Sequence, residues 1–178
     1  MNNKRNIGIV VMSRMESSRL PGKALKKIGN YYSLELCLLN CKKIKKIKNV
    51  ILATTNLKKD KILVRKFNKK YNIFKGESKN VLKRILDVCK KYDFKDVVRV
   101  TGDCPFISPE IIELLIKNHK KEKSDITMIK KSIAEHRIST WCVDGYKFIV
   151  IDRKHTKASS MFQFWEKPVA KTVRPAKC

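Results

Sequence analysis

No stretch of this 178-residue chain approaches the roughly 20 consecutive apolar residues that a membrane helix needs. The longest uncharged apolar runs, IGIVVM at 7–12 and VILATT at 50–55, have the length of strands. The first residues, MNNKRNIGIVVM, start basic but hold too few apolar residues for the core of a secretory signal. These absences predict a soluble, cytoplasmic protein. No CxxC pair occurs among the six cysteines Cys37, Cys41, Cys89, Cys104, Cys142 and Cys178, and His119, His136 and His155 lack metal-ligand spacing. Without an export signal a disulfide framework is not expected either. Neither GxxxxGK[ST] nor GxGxxG is present, which excludes the two commonest glycine-rich phosphate fingerprints.

Acidic residues are scarce. Asp and Glu number 16 against 42 Lys and Arg, so the formal net charge is +26 and the pI is near 10.0. A balance this basic raises the expectation of a polyanionic partner. Its make-up argues the other way: the cations are 33 lysines and only 9 arginines, spread along the chain rather than gathered in one arm. That is the pattern of a lysine-coated solvent face, and nucleic acid is not the expected partner. Hydrophobic residues at 43% suffice for one packed domain.

Periodicity predicts alternating strands and helices. Buried strands are expected at 7–13 and 49–55, a short one near Ile73 and Phe74, and a third long one at 97–101 (VVRVT). Helices are expected at 33–43, 58–71 and 79–92. A fourth begins at Pro109 behind the cap Ser108 and runs to about Glu122. Residues 125–129 and 146–151 read as further strands. Cys37 and Cys41 fall in the apolar stripe of the first helix and are expected to be core thiols. Strand–helix alternation over this length implies a parallel sheet with helices on both faces, whose ligands sit beyond the carboxyl ends of the strands.

Two loops lie at such ends. Ser13–Lys23, SRMESSRLPGK, offers three cations (Arg14, Arg19, Lys23), three hydroxyls (Ser13, Ser17, Ser18) and a Pro21–Gly22 turn. Guanidinium forks, an ammonium and turn N–H groups are what a phosphate chain binds. A basic connecting loop is the plainer alternative. The second loop, after VVRVT, reads GDCPFI from Gly102. Gly102 permits a tight turn, and Asp103 projects from the sheet edge, where it either holds Mg²⁺ with substrate phosphates or satisfies turn N–H groups. Facing a cationic loop, the metal role is the stronger reading. Cys104 reads as a packing residue.

RMESSRLPGKAL and VVRVTGDCPFISPEII together resemble the cytidylyltransferases of the acylneuraminate and spore-coat-polysaccharide type. ILATTN at 51–56 and GESKNVLKR at 76–84 are similar to the same family, with Asn80, Val81 and Arg84 on its pattern. The resemblance covers about residues 7–116 and thins at 143–151. It implies a Rossmann-like three-layer α/β/α fold with a mostly parallel sheet. The implied reaction joins CTP and a sugar to give a CMP-sugar and pyrophosphate, in surface polysaccharide or glycan biosynthesis. By the same resemblance Ser13, Arg14, Ser17, Arg19 and Lys23 bind the triphosphate and Asp103 holds Mg²⁺. Asn80 and Arg84 then lie near the nucleotide, Arg14, Lys23 and Asp103 carry catalysis, and a homodimer is possible.

Several residues depart from the family pattern. Ser13 stands where alanine is usual. Glu16 places a negative charge inside the loop, which is expected to weaken nucleotide binding. Tyr31 and Tyr32 replace a common Lys-Pro turn. Family members continue well beyond this length, so residues 1–152 are expected to form a domain incomplete relative to the family. Residues 153–178 then form a basic tail of no assigned role. Asp144 and Asp152 are the nearest carboxylates that could stand in for a further metal-associated Asp. A non-catalytic nucleotide- or partner-binding member and a polyanion-binding basic protein are the alternatives.

Overall fold

Six uncharged residues, Ile7–Met12, form strand β1 at the centre of the sheet. The structure is a computed structural model that describes residues 6–17, 20–45, 47–122, 126–127, 136–138 and 147–153. A hairpin of two-residue strands, β2 (Lys27–Ile28) and β3 (Tyr31–Tyr32), precedes helix α1 (Ser33–Lys42). Then come β4 (Val50–Thr55), α2 (Lys61–Phe67), β5 (Asn72–Gly76), α3 (Val81–Tyr92), β6 (Asp96–Thr101) and α4 (Pro109–Lys121). Strands β7 (Ile126–Thr127), β8 (His136–Ile138) and β9 (Lys147–Arg153) follow. The sheet order is β5-β4-β1-β6-β9-β7 with every neighbour parallel; β8 joins β9 antiparallel.

Successive residues of β1 feed two separate cores, because side chains alternate faces along a strand. Ile9 and Val11 pack with Leu34 and Leu38 of α1, Leu52, Leu63 and Phe67 of α2, Val98 and Ile112 of α4. Val10 and Met12 pack with Ile51, Ala53, Ile85 and Val88 of α3, Phe94 and Val97. Helices α1, α2 and α4 thus cover one face and α3 the other, which is the expected α/β/α arrangement. A strand buried on both faces is expected to be a continuous apolar run; β1 and β4 are uncharged runs of this kind, whereas β6 starts on Asp96 and interrupts its valines with Arg99.

Helix ends follow local chemistry. The Ser108 hydroxyl accepts from the Ile111 N–H at 3.3 Å, with Pro109 in the first turn. The Asn80 amide oxygen accepts from the Lys83 N–H at 2.8 Å and caps α3. Cys37, Cys41, Cys89 and Cys104 are buried free thiols.

The segment expected as one helix over 58–71 is shorter and broken. Lys58–Asp60 is a 3-10 turn, α2 covers Lys61–Phe67, and Tyr71 turns back to dock its ring on Phe67. Within α2, Leu63 and Phe67 are buried while Ile62 and Val64 are half-buried. The Tyr31–Tyr32 departure forms β3, whose Tyr32 ring meets Phe67 edge-on at 6.4 Å while its hydroxyl accepts from Lys66. Among the described residues no helix is long and apolar enough to cross a membrane.

Candidate functional site

The carboxyl ends of β1 and β6 are clamped together at Gly102. Its N–H donates to the Met12 carbonyl at 2.8 Å, and a Cβ at Gly102 would lie 2.8 Å from Leu34 Cδ1 and 2.9 Å from Ser13 Cβ. The sequence suggested glycine here for its turn conformation. Positive φ among the described glycines occurs only at Gly22 and Gly29, so Gly102 is required by close approach of two strands rather than by φ. The consequence is that the loops after β1 and β6 start side by side.

The first loop closes on itself. The Gly22 N–H donates to the Met15 carbonyl at 3.0 Å, Gly22 adopts a left-handed φ of 70°, and Leu25 N–H returns to the Gly22 carbonyl at 2.9 Å. Ser17 Oγ accepts from the Leu20 N–H at 3.4 Å, so this hydroxyl takes part in the loop's own turn. Ser13 is half-buried and its N–H donates to the Ala53 carbonyl at 3.1 Å. Ser18 and Arg19 lie outside the described residues.

Lys23 reaches across to the second loop. Its Nζ donates to Asp103 Oδ2 at 2.5 Å, with the two side chains 31% and 16% exposed. Burial pushes the Asp103 carboxyl up, but the Lys23 ammonium, the Thr101 hydroxyl and its own backbone N–H outweigh that and hold it below the usual carboxylate range. Residues 80 apart in the chain therefore form one half-buried ion pair at the sheet edge.

A second cationic group sits beside the loop. Arg84 on α3 is 3% exposed; its Nη1 donates to the Glu77 carbonyl at 2.8 Å, and its buried Nε has no hydrogen-bond partner among the described residues. Burial, and then the guanidinium of Arg14, pull the Arg84 pKa down against the opposing charges of Asp60 and Glu77. Gly76 leaves room for this side chain, since a Cβ there would lie 2.9 Å from Arg84 Cγ. Arg14 itself is exposed. Asn80 is exposed next to this cluster in sequence, with its amide oxygen committed to the α3 cap.

Glu16 does not stand uncompensated. Its carboxylate pairs with Lys59 at 2.5 Å, and the Lys59 hydrogen bond and charge hold its pKa low. One residue that the sequence did not single out is central here. Asp60 is fully buried; its Oδ1 accepts from the Met15 N–H at 2.7 Å and its Oδ2 from the Thr55 hydroxyl. Asp144 lies outside the described residues. The β6–β9 register pairs Val100 with Ile151 and so brings Asp152 to the same strand edge.

The opposite edge is less suited to a ligand. A cleft of about 290 Å³ there is lined by Lys42, Lys48, Lys69, Lys70 and Tyr71. Two of its cations are committed to the fold: Lys42 lies 4.3 Å from the Tyr71 ring centre and donates to the Lys70 carbonyl, and Lys70 pairs with Glu35 at 3.0 Å.

Comparison with known proteins agrees with the fold. Residues 8–163 match the model of the cytidylyltransferase family. The spore coat polysaccharide biosynthesis protein SpsF of Bacillus subtilis is 31% identical over 129 residues, 70% of this chain and 54% of that protein. A 3-deoxy-manno-octulosonate cytidylyltransferase of Leptospira interrogans is 29% identical over 58% of this chain and 42% of its own length. The solved structure of a cytidylyltransferase from Leptospira borgpetersenii superposes with a TM-score of 0.65 at 31% identity, covering 70% of this chain and 52% of that one. The chain spans about half the length of the relatives it matches. The family match takes in both loops that meet at Lys23 and Asp103, and it shows that the chain belongs to the cytidylyltransferase family.

Proposed function

We propose that the chain carries the nucleotide half of a nucleotidyl transfer from CTP to a sugar, yielding a CMP-sugar and pyrophosphate. The observation that carries this reading is the Lys23–Asp103 pair at the joined ends of β1 and β6. An ammonium and a carboxylate held together in this way are two halves of a site for a metal–phosphate complex, each providing the counter-charge that the ligand would replace.

In the reaction a sugar hydroxyl oxygen bonds to the α-phosphorus, the bond from that phosphorus to the bridging oxygen of the β-phosphate breaks, and the hydroxyl proton passes to solvent. Little covalent work is asked of the protein; positioning and charge neutralisation dominate. Lys23 and Arg14 supply cations to the phosphates, and Arg84, buried beside Arg14, adds its positive charge behind them. Ser13, Ser17 and Arg19 complete the loop contacts, and Asn80 Nδ2 extends them from α3.

Asp103 suits Mg²⁺ better than a softer metal. Among the described residues no group of three or more His, Cys, Asp or Glu side chains gathers as a metal site, whereas Mg²⁺ is usually held by one or two carboxylates plus substrate phosphates. When bound there, Mg²⁺ supplies charge neutralisation on the phosphate oxygens. The names of two relatives, a spore coat polysaccharide biosynthesis protein and a 3-deoxy-manno-octulosonate cytidylyltransferase, support a sugar acceptor in surface polysaccharide or glycan biosynthesis, and on this reading the step takes place in the cytoplasm. Residues 1–152 would form the catalytic domain and 153–178 an appended basic tail.

The test is pyrophosphate release with each of four nucleoside triphosphates against a panel of acidic and deoxy sugars. Release confined to CTP and one sugar class is the expected result. CTP binding without release would favour the non-catalytic reading. Affinity for anions that collapses between 50 and 200 mM salt with no nucleotide preference would favour a polyanion binder.

A further inference from the structure

We infer that Asp60, with its neighbour Lys59, is a positioning residue for the phosphate loop: the 58–60 turn after β4 grips two consecutive loop residues, Met15 and Glu16. This inference rests on the reading of 13–23 as the phosphate-binding loop.

Asp60 stands at the N-cap of α2, where an Asp side chain ordinarily accepts from an N–H of the first turn. Here it caps nothing. Its carboxylate is turned out of its own helix and spent on a residue 45 positions earlier. The network is closed at every atom in view. The Leu57 N–H donates to Thr55 Oγ1 at 3.2 Å, the Thr55 hydroxyl donates to Asp60 Oδ2, and Asp60 Oδ1 accepts from the Met15 N–H at 2.7 Å. A fully buried carboxylate is costly unless hydrogen-bonded in this way. One residue along each chain segment, Lys59 Nζ meets Glu16 at 2.5 Å on the surface. The loop's start is therefore held from the 58–60 turn after β4, independently of the Lys23–Asp103 contact at its end.

Asp60 has a second effect on the site. Its charge acts on Arg84 against the repulsion from Arg14. It thereby offsets part of the repulsion between the two arginines assigned to the same phosphates. Three roles can be told apart by sign. If Asp60 serves positioning, Asp60→Ala weakens CTP binding while Asp60→Asn, whose amide oxygen still accepts from Met15, stays near wild type. If its charge were the dominant influence, both variants would bind the anionic nucleotide more tightly. If it served only the fold, stability would fall with affinity unchanged.

The experiment combines amide hydrogen exchange with calorimetric titration of CTP in Mg²⁺. In the wild-type protein the Met15 amide is expected to be protected, well above the neighbouring Glu16 and Ser17 amides. In Asp60→Ala its protection should fall, and the Kd for CTP should rise, each by about tenfold, as expected for loss of a hydrogen bond to a charged group. Asp60→Asn should restore both to within about threefold of wild type on the same scale. Strand amides of Val10 and Val98 report whether the fold is kept. A Met15 amide that is unprotected in the wild type overturns the inference without any variant. So does unchanged CTP affinity in a folded Asp60→Ala protein for which Arg14→Ala and Lys23→Ala both weaken binding. If those two controls also leave affinity unchanged, it is the phosphate-loop reading that has failed.

Discussion

Replacing Asp103 with asparagine should split nucleotide binding into two opposite effects. The perturbation removes one negative charge from a half-buried ion pair while keeping the side-chain shape. Without Mg²⁺, the wild-type carboxylate holds Lys23 at 2.5 Å and repels incoming phosphates. Exposed ion pairs contribute about 0–1 kcal/mol and hydrogen bonds to charged groups about 1.5–3 kcal/mol. With Lys23 at 31% and Asp103 at 16% exposure the pair belongs between these limits, about 1–2 kcal/mol, which is a factor of about 5–30. Freed of its partner, Lys23 can meet the phosphates directly. Metal-free CTP should therefore bind Asp103→Asn up to that much more tightly than wild type. The Mg²⁺-dependent gain in affinity should vanish, because the one carboxylate assigned to the metal is gone. Calorimetric titration of CTP in EDTA and in Mg²⁺, on both proteins, measures the two effects separately. A variant that keeps the full Mg²⁺ gain would show that Asp103 is a turn residue and not the metal ligand. Weaker metal-free binding would show that the pair orders the loop instead of restraining Lys23.

The same pair predicts a pH dependence. The folded-state pKa of Asp103 is depressed, so its contribution is fully present above the unfolded carboxylate pKa of about 3.9 and is lost as pH falls through the lower folded value. In metal-free buffer the difference in thermal midpoint between wild type and Asp103→Asn should be flat at neutral pH, begin to shrink near about pH 4 and disappear only below the depressed folded value. Lys23→Ala and Arg14→Ala should each weaken Mg²⁺–CTP binding by about 1.5–3 kcal/mol, read by titration; unchanged affinity in both would remove the loop assignment. Cys37, Cys41, Cys89 and Cys104 should resist alkylation until the chain unfolds: burial lifts the Cys89 thiol to about 12, and the Cys41 hydrogen bond followed by burial pushes Cys37 up. Rapid native labelling of any of the four, located by mass spectrometry, would contradict the packing described.

The parts of the fold visible in the sequence are those whose signal is local. Strands β1 and β4 are uncharged, largely apolar runs because each is buried on both faces, β6 is marked by its valines around Arg99, and Ser108-Pro109 announces α4 by its own chemistry. The β2–β3 hairpin was not foreseen, since two-residue strands carry no periodicity and Lys27, Ile28 and Tyr31 are exposed. The helix expected over 58–71 was too long because apolar spacing continues through Tyr71, while the regular helix spans only Lys61–Phe67, after a 3-10 turn at 58–60 and before a turn at 68–70. The site divides in the same way. Lys23 and Asp103 could be nominated from their loops, but their contact depends on Gly102 letting β1 and β6 close together. Asp60 was invisible: it falls inside the segment expected as one helix over 58–71, and its actual partner is 45 residues away.

The scarcity of acids sharpens the meaning of where they are. Glu16, Asp60 and Asp103, three of only 16, all engage the 13–23 loop or the turn beside it. In a chain of net charge +26 a diffuse positive field needs no design, whereas fixing particular cations against their mutual repulsion does. A field effect and a positioned charge can be separated at constant net charge. Lys48 and Lys69 line the cleft near the start of β4, and a six-residue strand at about 3.3 Å per residue puts them roughly 20 Å from its carboxyl end. That exceeds the Debye length of about 8 Å at physiological salt. Lys48→Gln with Lys69→Gln removes two charges and should leave the Kd for Mg²⁺–CTP within about twofold of wild type, since screened charges at that range add little. Lys23→Gln removes one and should raise it about tenfold or more. If titration at 0.15 M salt instead shows affinity tracking the number of lysines removed, whichever edge they come from, the general positive charge binds the nucleotide and the ordered loop does not.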